Sequence, residues 1–307
     1  MASRLKIATR HVCRDFEARR EGPRPGNSNP DLAAIALRMA LEEARLDVGE
    51  LAYLIGHTTS PACLVPPNIA LVADRVSFAG PYMELRQACT GFANALVIAQ
   101  GLVSTPGVKA VAIIGSETGS VYFDPQRAGE DASQLVNLVM MGDGAAAIVV
   151  GPDDSKPGAR ISNNFFGQIG LGRRSGFALI AGGSDQPFVE RGSIDFEHDF
   201  EAVRASGPEL FYRGAEVGRA LGIGVETVDH VVPHQANGRM AELLAPFLGI
   251  EQSHVFVNAD SLGNTGSAAI WLALAELRSR LDPGERALAL GAEATKYMFG
   301  GFLYVHG

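Results

Sequence analysis

Three side chains in this sequence have the types and surroundings that nucleophilic chemistry uses. Cys89 lies in QACTGFANAL, directly before a helix of small residues predicted over Thr90–Val103. A thiol at a helix start faces unpaired N–H groups and the positive end of the helix dipole, both of which stabilise a thiolate. On that ground its pKa is expected to fall below that of an ordinary cysteine. The bland alternative is a small buried core residue; the helix-start position favours the nucleophile. Cys63, in the proline-rich SPACLVPP, and Cys13, in an arginine-rich segment, lack such a setting. His234 follows the apolar run of VVPHQANGRM, where a buried strand hands over to a loop. Strand ends are where α/β proteins place their sites. A lone histidine is more often structural, but Gln235 and Asn237 give this one polar surroundings. Asn264 stands in SLGNTGSAAIW between Gly263 and Gly266, where the plainer reading is a turn and helix cap. A Cys/His/Asn set that converges in space is a recurring nucleophilic arrangement.

Such convergence requires an architecture, and the order of elements supplies one. A strand is expected around Leu5–Ala8, followed by a charged stretch with Arg14, Arg19 and Arg20 and the turn-rich Glu21–Pro30. Leu32–Leu46 is rich in helix formers, with Asn29 or Asp31 as its cap. A strand pattern within Glu50–Pro61, a helix at Asn68–Val76, the helix after Cys89, a strand at Val108–Thr118 and a turn-plus-strand at Met141–Gly151 complete the first half. MGDG at Met141–Gly144 reads as a turn, not a phosphate cradle. Alternation of this kind predicts a mostly parallel sheet covered on both faces.

The second half repeats the first. Leu221–Asn237 has the layout of Leu46–Ser60, pairing His57 with His234. ACTGFANALVIAQGLV matches GNTGSAAIWLALAELR, pairing Cys89 with Asn264, and AVAIIGSE matches RALALGAE, pairing Glu117 with Glu293. The three separations agree within two residues, which a chance match of apolar strands would not give. One repeat of half the chain means a duplicated unit, here residues 1–152 and 153–307, joined across Gly151–Gly158. Two like halves around a pseudo-two-fold bring Cys89, His234 and Asn264 into one pocket.

Composition limits the alternatives. The 307 residues are 47% apolar and 20% charged with a net charge of −8, which disfavours a general nucleic-acid surface. Three cysteines without CxxC spacing argue against a disulfide framework and a zinc site. No apolar run is long enough to span a membrane and no signal peptide is evident, so a cytoplasmic protein is expected. There are 36 glycines, roughly 12% against an average near 7%, and Gly91, Gly263 and Gly266 place part of that excess in turns beside the candidate site.

From about Pro30 onward, ACTGF, GSET, MGDGAAAIVV, VPHQAN with Arg239, and NTGSAA in this order resemble the β-ketoacyl-acyl carrier protein synthase III family of the thiolase superfamily. The resemblance implies an α/β thiolase-like fold of two duplicated βα halves in five layers, α-β-α-β-α, and a homodimer. It implies that Cys89 takes an acyl group from a CoA or carrier thioester. His234 and Asn264 would then hold the carbonyl of malonyl-carrier protein during decarboxylation, and the Cys89 backbone N–H would help hold the oxyanion. Arg239 matches a position at the mouth where the acidic acyl carrier protein docks; Arg213 is a weaker candidate for that rim. No metal or other cofactor is expected beyond the thioester substrates. The implied setting is fatty acid biosynthesis and lipid metabolism.

The sequence also departs from the family. The N-terminal segment with a tryptophan that stacks on the CoA adenine is missing from it, since the single tryptophan is Trp271. GAEATKYMFGG at Gly291–Gly301 replaces the family's C-terminal glycine loop. No second cysteine stands there, which disfavours reversible thiolysis. Decarboxylative Claisen condensation is the leading expectation. The rivals are acyl transfer from Cys89 to a hydroxyl or amine with His234 as base, a non-catalytic partner subunit of another ketosynthase, and a redox-sensing or binding protein. The intact Cys89, His234 and Asn264 speak against a partner subunit.

Overall fold

The computed structural model describes residues 1–16, 22–153, 158–186 and 196–307. Arg19, Arg20 and residues 154–157 of the joint at Gly151–Gly158 lie outside the described residues.

The chain opens with a short helix, α1 (Ala2–Leu5), not the strand expected around Leu5–Ala8. Those residues find no sheet edge; Ala8 and Thr9 instead donate their backbone N–H groups to the Asp260 carbonyl. Helix α2 (Asn29–Ala44) is capped one residue before Asn29 and three before Asp31, the two predicted caps: Ser28 is the N-cap, and Asp31 returns its side chain to the Ser28 backbone as a capping box. Then come β1 (Tyr53–His57), α3 (Asn68–Val76), β2 (Tyr82–Leu85), α4 (Gly91–Val103) and β3 (Val111–Glu117). Helices α5 (Pro125–Glu130) and α6 (Ala132–Met140) lead into β4 (Gly144–Val150). MGDG is not the expected turn: Met141 forms a parallel bridge with Asn264, Gly144 opens β4, and Asp143 accepts from the backbone N–H groups of Cys13 and Ser120 at 2.7 and 3.0 Å.

The second half runs β5 (Arg160–Gln168), the small hairpin β6 (Phe177–Leu179) and β7 (Phe196–His198), α7 (Phe200–Ala220), β8 (His230–Pro233), α8 (Met240–Leu248), α9 (Ala259–Leu262), α10 (Ala269–Arg278), β9 (Arg286–Glu293) and β10 (Met298–Val305). The two four-stranded sheets have the orders β2-β1-β3-β4 and β5-β10-β9-β8. They are mixed, which corrects the mostly parallel expectation: β1–β2, β1–β3 and β8–β9 are parallel, while β3–β4, β9–β10 and β10–β5 are antiparallel. The turn from Glu293 to Met298 is too short for a crossover helix, so β10 must return beside β9 in the opposite direction.

Strand alternation sorts the core into three layers of contact. In β1 and β3, Leu54, Ala112 and Ile114 face α2 and α3, while Ile55, Val111 and Ile113 face α4 and α10. In β9, Ala287 and Ala289 face that same helix pair, while Leu288 and Leu290 face α7 and α8. Helices α4 and α10 thus lie between the sheets, α2 and α3 cover one outer face, and α7 and α8 cover the other. This is the five-layer thiolase-like arrangement of two related halves. The halves differ at both edges among the described residues: β5 lies along the outer edge of β10 where β4 carries no strand, and β2 lies along the outer edge of β1 where β8 has only the Val231–Val255 bridge.

Candidate active site

The functional side chains stand where strands of both sheets end and the two central helices begin. β1 ends at His57, and His234 directly follows β8, so the paired histidines occupy matching places. The His234 backbone N–H donates to the Leu290 carbonyl of β9 at 2.8 Å. Cys89 precedes α4, and Asn264 precedes the turn that opens α10.

Glu117 and Glu293, which end β3 and β9, tie these segments together. Glu293 Oε2 accepts from the Thr90 backbone N–H and hydroxyl at 2.9 and 2.7 Å. Glu117 Oε2 accepts from the Ser267 backbone N–H and hydroxyl at 3.3 and 2.7 Å. Each carboxylate therefore accepts one backbone N–H at the entry to the central helix that belongs to the other half. The Ser267 hydroxyl also reaches the Gln87 carbonyl at 3.1 Å, two residues before Cys89. Glu117 is held on its other oxygen by Thr59, through its backbone N–H and hydroxyl, and by the Ser60 hydroxyl. In the sequence these carboxylates stand out only as landmarks of the repeat. A charged residue closing an otherwise buried strand was the signal that they carry a partner.

Asn264 is oriented by its own turn. Its Oδ1 accepts the Gly266 N–H at 3.0 Å, and its Nδ2 makes no hydrogen bond among the described residues. The amide therefore presents N–H groups and not oxygen. Gly266 is required there: its φ is +50°, and a Cβ would come within 2.8 Å of Glu117 Oε2. His234 is 5% exposed, its Nδ1 is buried without a partner, and burial drives its pKa down to about 4. It is neutral at physiological pH. The site thus offers a neutral imidazole and an amide N–H₂, donors without charge.

Cys89 contradicts one expectation. Burial, with Glu293 and Glu117 nearby, pushes its thiol well above the ordinary value of 9.0. The helix start is present, but Glu293 already sits on it, so the resting cysteine is a thiol. The rate of Cys89 alkylation by iodoacetamide should therefore keep rising with pH beyond 9, followed by peptide mass mapping. A plateau below pH 8 would contradict this. Cys13 is buried with its pKa raised to about 12, and Cys63 is exposed away from these groups.

Arg239 is the N-cap of α8, and Arg213 lies on α7, which packs beside α8 through Tyr212 and Phe247. Both are exposed and each pairs with a glutamate at 3.2 Å, Arg239 with Glu242 and Arg213 with Glu216. Lys6 joins the Glu242 pair. Trp271 is 1% exposed in the central core and is no adenine platform.

Residues 83–170 match the family model "3-Oxoacyl-[acyl-carrier-protein (ACP)] synthase III", and residues 219–302 match its C-terminal counterpart. The beta-ketoacyl-[acyl-carrier-protein] synthase III of Nitratidesulfovibrio vulgaris strain DP4 is 32% identical over 276 residues, 86% of this chain and 80% of that protein. The chain belongs to the synthase III family. Among solved structures, the 3-oxoacyl-(acyl carrier protein) synthase III, FabH, of Pseudomonas aeruginosa PAO1 aligns with a TM-score of 0.80 and 26% identity, covering 99% of this chain and 88% of that one. AbyA1, a tetronic acid condensing enzyme, aligns with a TM-score of 0.83 and 27% identity, covering 96% and 87%. This synthase III chain has, among its described residues, no group of three or more His, Cys, Asp or Glu that could hold a metal ion. No described helix is long and apolar enough to cross a membrane.

Proposed function

We propose that this synthase III family member forms a β-ketoacyl thioester by decarboxylative Claisen condensation through an acyl-Cys89 intermediate. The observation that carries the reading is a set of two uncharged donors, the buried neutral His234 directly after β8 and the turn-locked Asn264 amide before α10, with a cysteine at the start of α4.

In the first step the Cys89 sulfur attacks the donor thioester carbonyl, and the CoA or carrier thiol leaves with the proton. The Cys89 N–H stabilises the oxyanion. In the second step malonyl-carrier protein loses carbon dioxide, and its thioester carbonyl becomes an enolate held by His234 and Asn264. Neutral donors suit this task, because a charged imidazolium would favour protonation of the carbanion. The enolate carbon attacks the acyl-cysteine carbonyl; collapse of that intermediate expels Cys89, which regains a proton.

Arg239, and more weakly Arg213, would meet the acidic carrier protein, with Glu242 and Glu216 competing for them. The reading needs no metal or other cofactor. It places residues 1–152 and 153–307 as the two halves, with a homodimer in the cytoplasm as the working form and no nucleic acid involved. The test is incubation with a panel of acyl-CoA and acyl-carrier donors, then malonyl-carrier protein. An acyl mass increment followed by carbon dioxide and a β-ketoacyl product is expected. No increment with any donor, or acyl transfer without carbon dioxide, would overturn it.

A further inference from the structure

Beneath the turn that carries Cys89, a further buried side-chain hydrogen bond joins the two halves. The Trp271 indole Nε1–H of α10 donates to Nε2 of His57, the last residue of β1, at 3.1 Å. Both residues are 1% exposed. Trp271 is fixed in turn by stacking on Phe302 and by the edge of Phe92, with centroids 5.7 and 5.8 Å away.

This bond decides where the imidazole keeps its proton. An indole only donates, so Nε2 must be bare. Burial drives the His57 pKa down to about 3, so the ring is neutral and its one proton sits on Nδ1. Nδ1 faces the nucleophile turn: a Cβ on Gly91 would lie 2.6 Å from it. It closes no regular hydrogen bond in the resting structure, and the Ala88 backbone is the neighbour that favours its protonated state. The Ala88 carbonyl and the Cys89 N–H belong to one peptide group. A donor on that carbonyl would orient the group and polarise its N–H.

We infer that His57 is a positioning residue for the oxyanion site: its Nδ1–H, aimed by Trp271, engages the Ala88 carbonyl and so sets the direction and strength of the Cys89 N–H. The inference rests on the proposed acylation of Cys89 and concerns a histidine that the two-step chemistry does not use. Gly91 belongs to the same device, since a side chain there would displace the ring.

Two substitutions separate the ring's ends. His57→Asn keeps an N–H where Nδ1 stands; His57→Gln keeps an acceptor for Trp271 and loses that N–H. Two readouts separate positioning from bulk structure. Acylation by acyl-CoA passes through an oxyanion, whereas alkylation by iodoacetamide does not. With His57→Gln, acylation of Cys89 should slow by roughly tenfold to a hundredfold, while alkylation stays within about threefold of the unmodified protein. His57→Asn should recover most of the acylation rate. Trp271→Phe serves if His57→Gln does not fold: it removes the tautomer lock, so acylation should slow and the ¹⁵N shifts of His57 should show a mixed tautomer. Acylation at the original rate in His57→Gln, or in Trp271→Phe, overturns the inference. An equal fall of acylation and alkylation overturns it too, since that reports a distorted turn. Absence of any acyl adduct on the unmodified protein would instead remove the parent reading.

Discussion

A Cys89→Ala variant will form no acyl adduct and no β-ketoacyl product, yet it will still release carbon dioxide from malonyl-carrier protein. The two halves of the reaction use different residues. Removing the sulfur removes the covalent step, so condensation should fall by several orders of magnitude, to the background set by binding alone. The enolate donors are His234 and Asn264, and neither depends on the thiol: Asn264 is held by Gly266, and His234 hangs from the β8–β9 pair. Decarboxylation should therefore persist, uncoupled from bond formation, with the acetyl-carrier product accumulating. Intact mass, carbon dioxide release and product chromatography on one sample check all three statements. An acyl adduct on Cys89→Ala, carried by Cys63 or Cys13, would sink the assignment of the nucleophile.

The second large effect lies on the other side of the site. Asn264→Ala removes one of two donors to the enolate oxygen. Loss of one such donor typically costs on the order of 10²–10³ in rate. His234→Ala should cost a similar factor, and the double variant should lose less than the product of the two, because both donors serve one oxygen. In each case Cys89 should still be alkylated and still accept an acyl group, so the loss appears in carbon dioxide release and not in the first mass increment. An Asn264→Ala variant that decarboxylates at the original rate would return Asn264 to the role of a turn residue. The pH profile adds an independent check. Since burial lowers the His234 pKa to about 4, decarboxylation should hold level from neutral pH down to about pH 5 and fall only below it.

Much of this was legible from residue types and order. The helix after Cys89, the helix at Asn68–Val76 and the strands ending at His57 and Glu117 follow from local composition, and the structure puts them there. The duplication was legible because buried strands and small-residue helices leave matching patterns, and β1, β3 and α4 do correspond to β8, β9 and α10. Three things were not legible. Strand direction at β4 and β10 depends on a return path that hydrophobicity does not encode. The N-terminal segment is set by contacts far along the chain, Leu5 with Gly238 and Ala8 and Thr9 with Asp260. The state of the Cys89 thiol depends on Glu293, more than two hundred residues away, and local sequence shows only the favourable helix start.

The exchange of helix caps also bears on how such a molecule comes to be one chain. Glu117 lies on the first half's sheet and closes the second half's helix; Glu293 does the reverse. Cut apart, each half would keep a buried carboxylate stripped of its partners across the halves, Ser267 for Glu117 and Thr90 for Glu293, and a helix start without its acceptor. Each loss leaves buried polar groups less well satisfied, at a cost of about 1–3 kcal/mol per group against a net stability of about 5–15 kcal/mol. The two halves are therefore joined by reciprocal hydrogen bonds at the turns of Cys89 and Asn264 as well as by the chain itself.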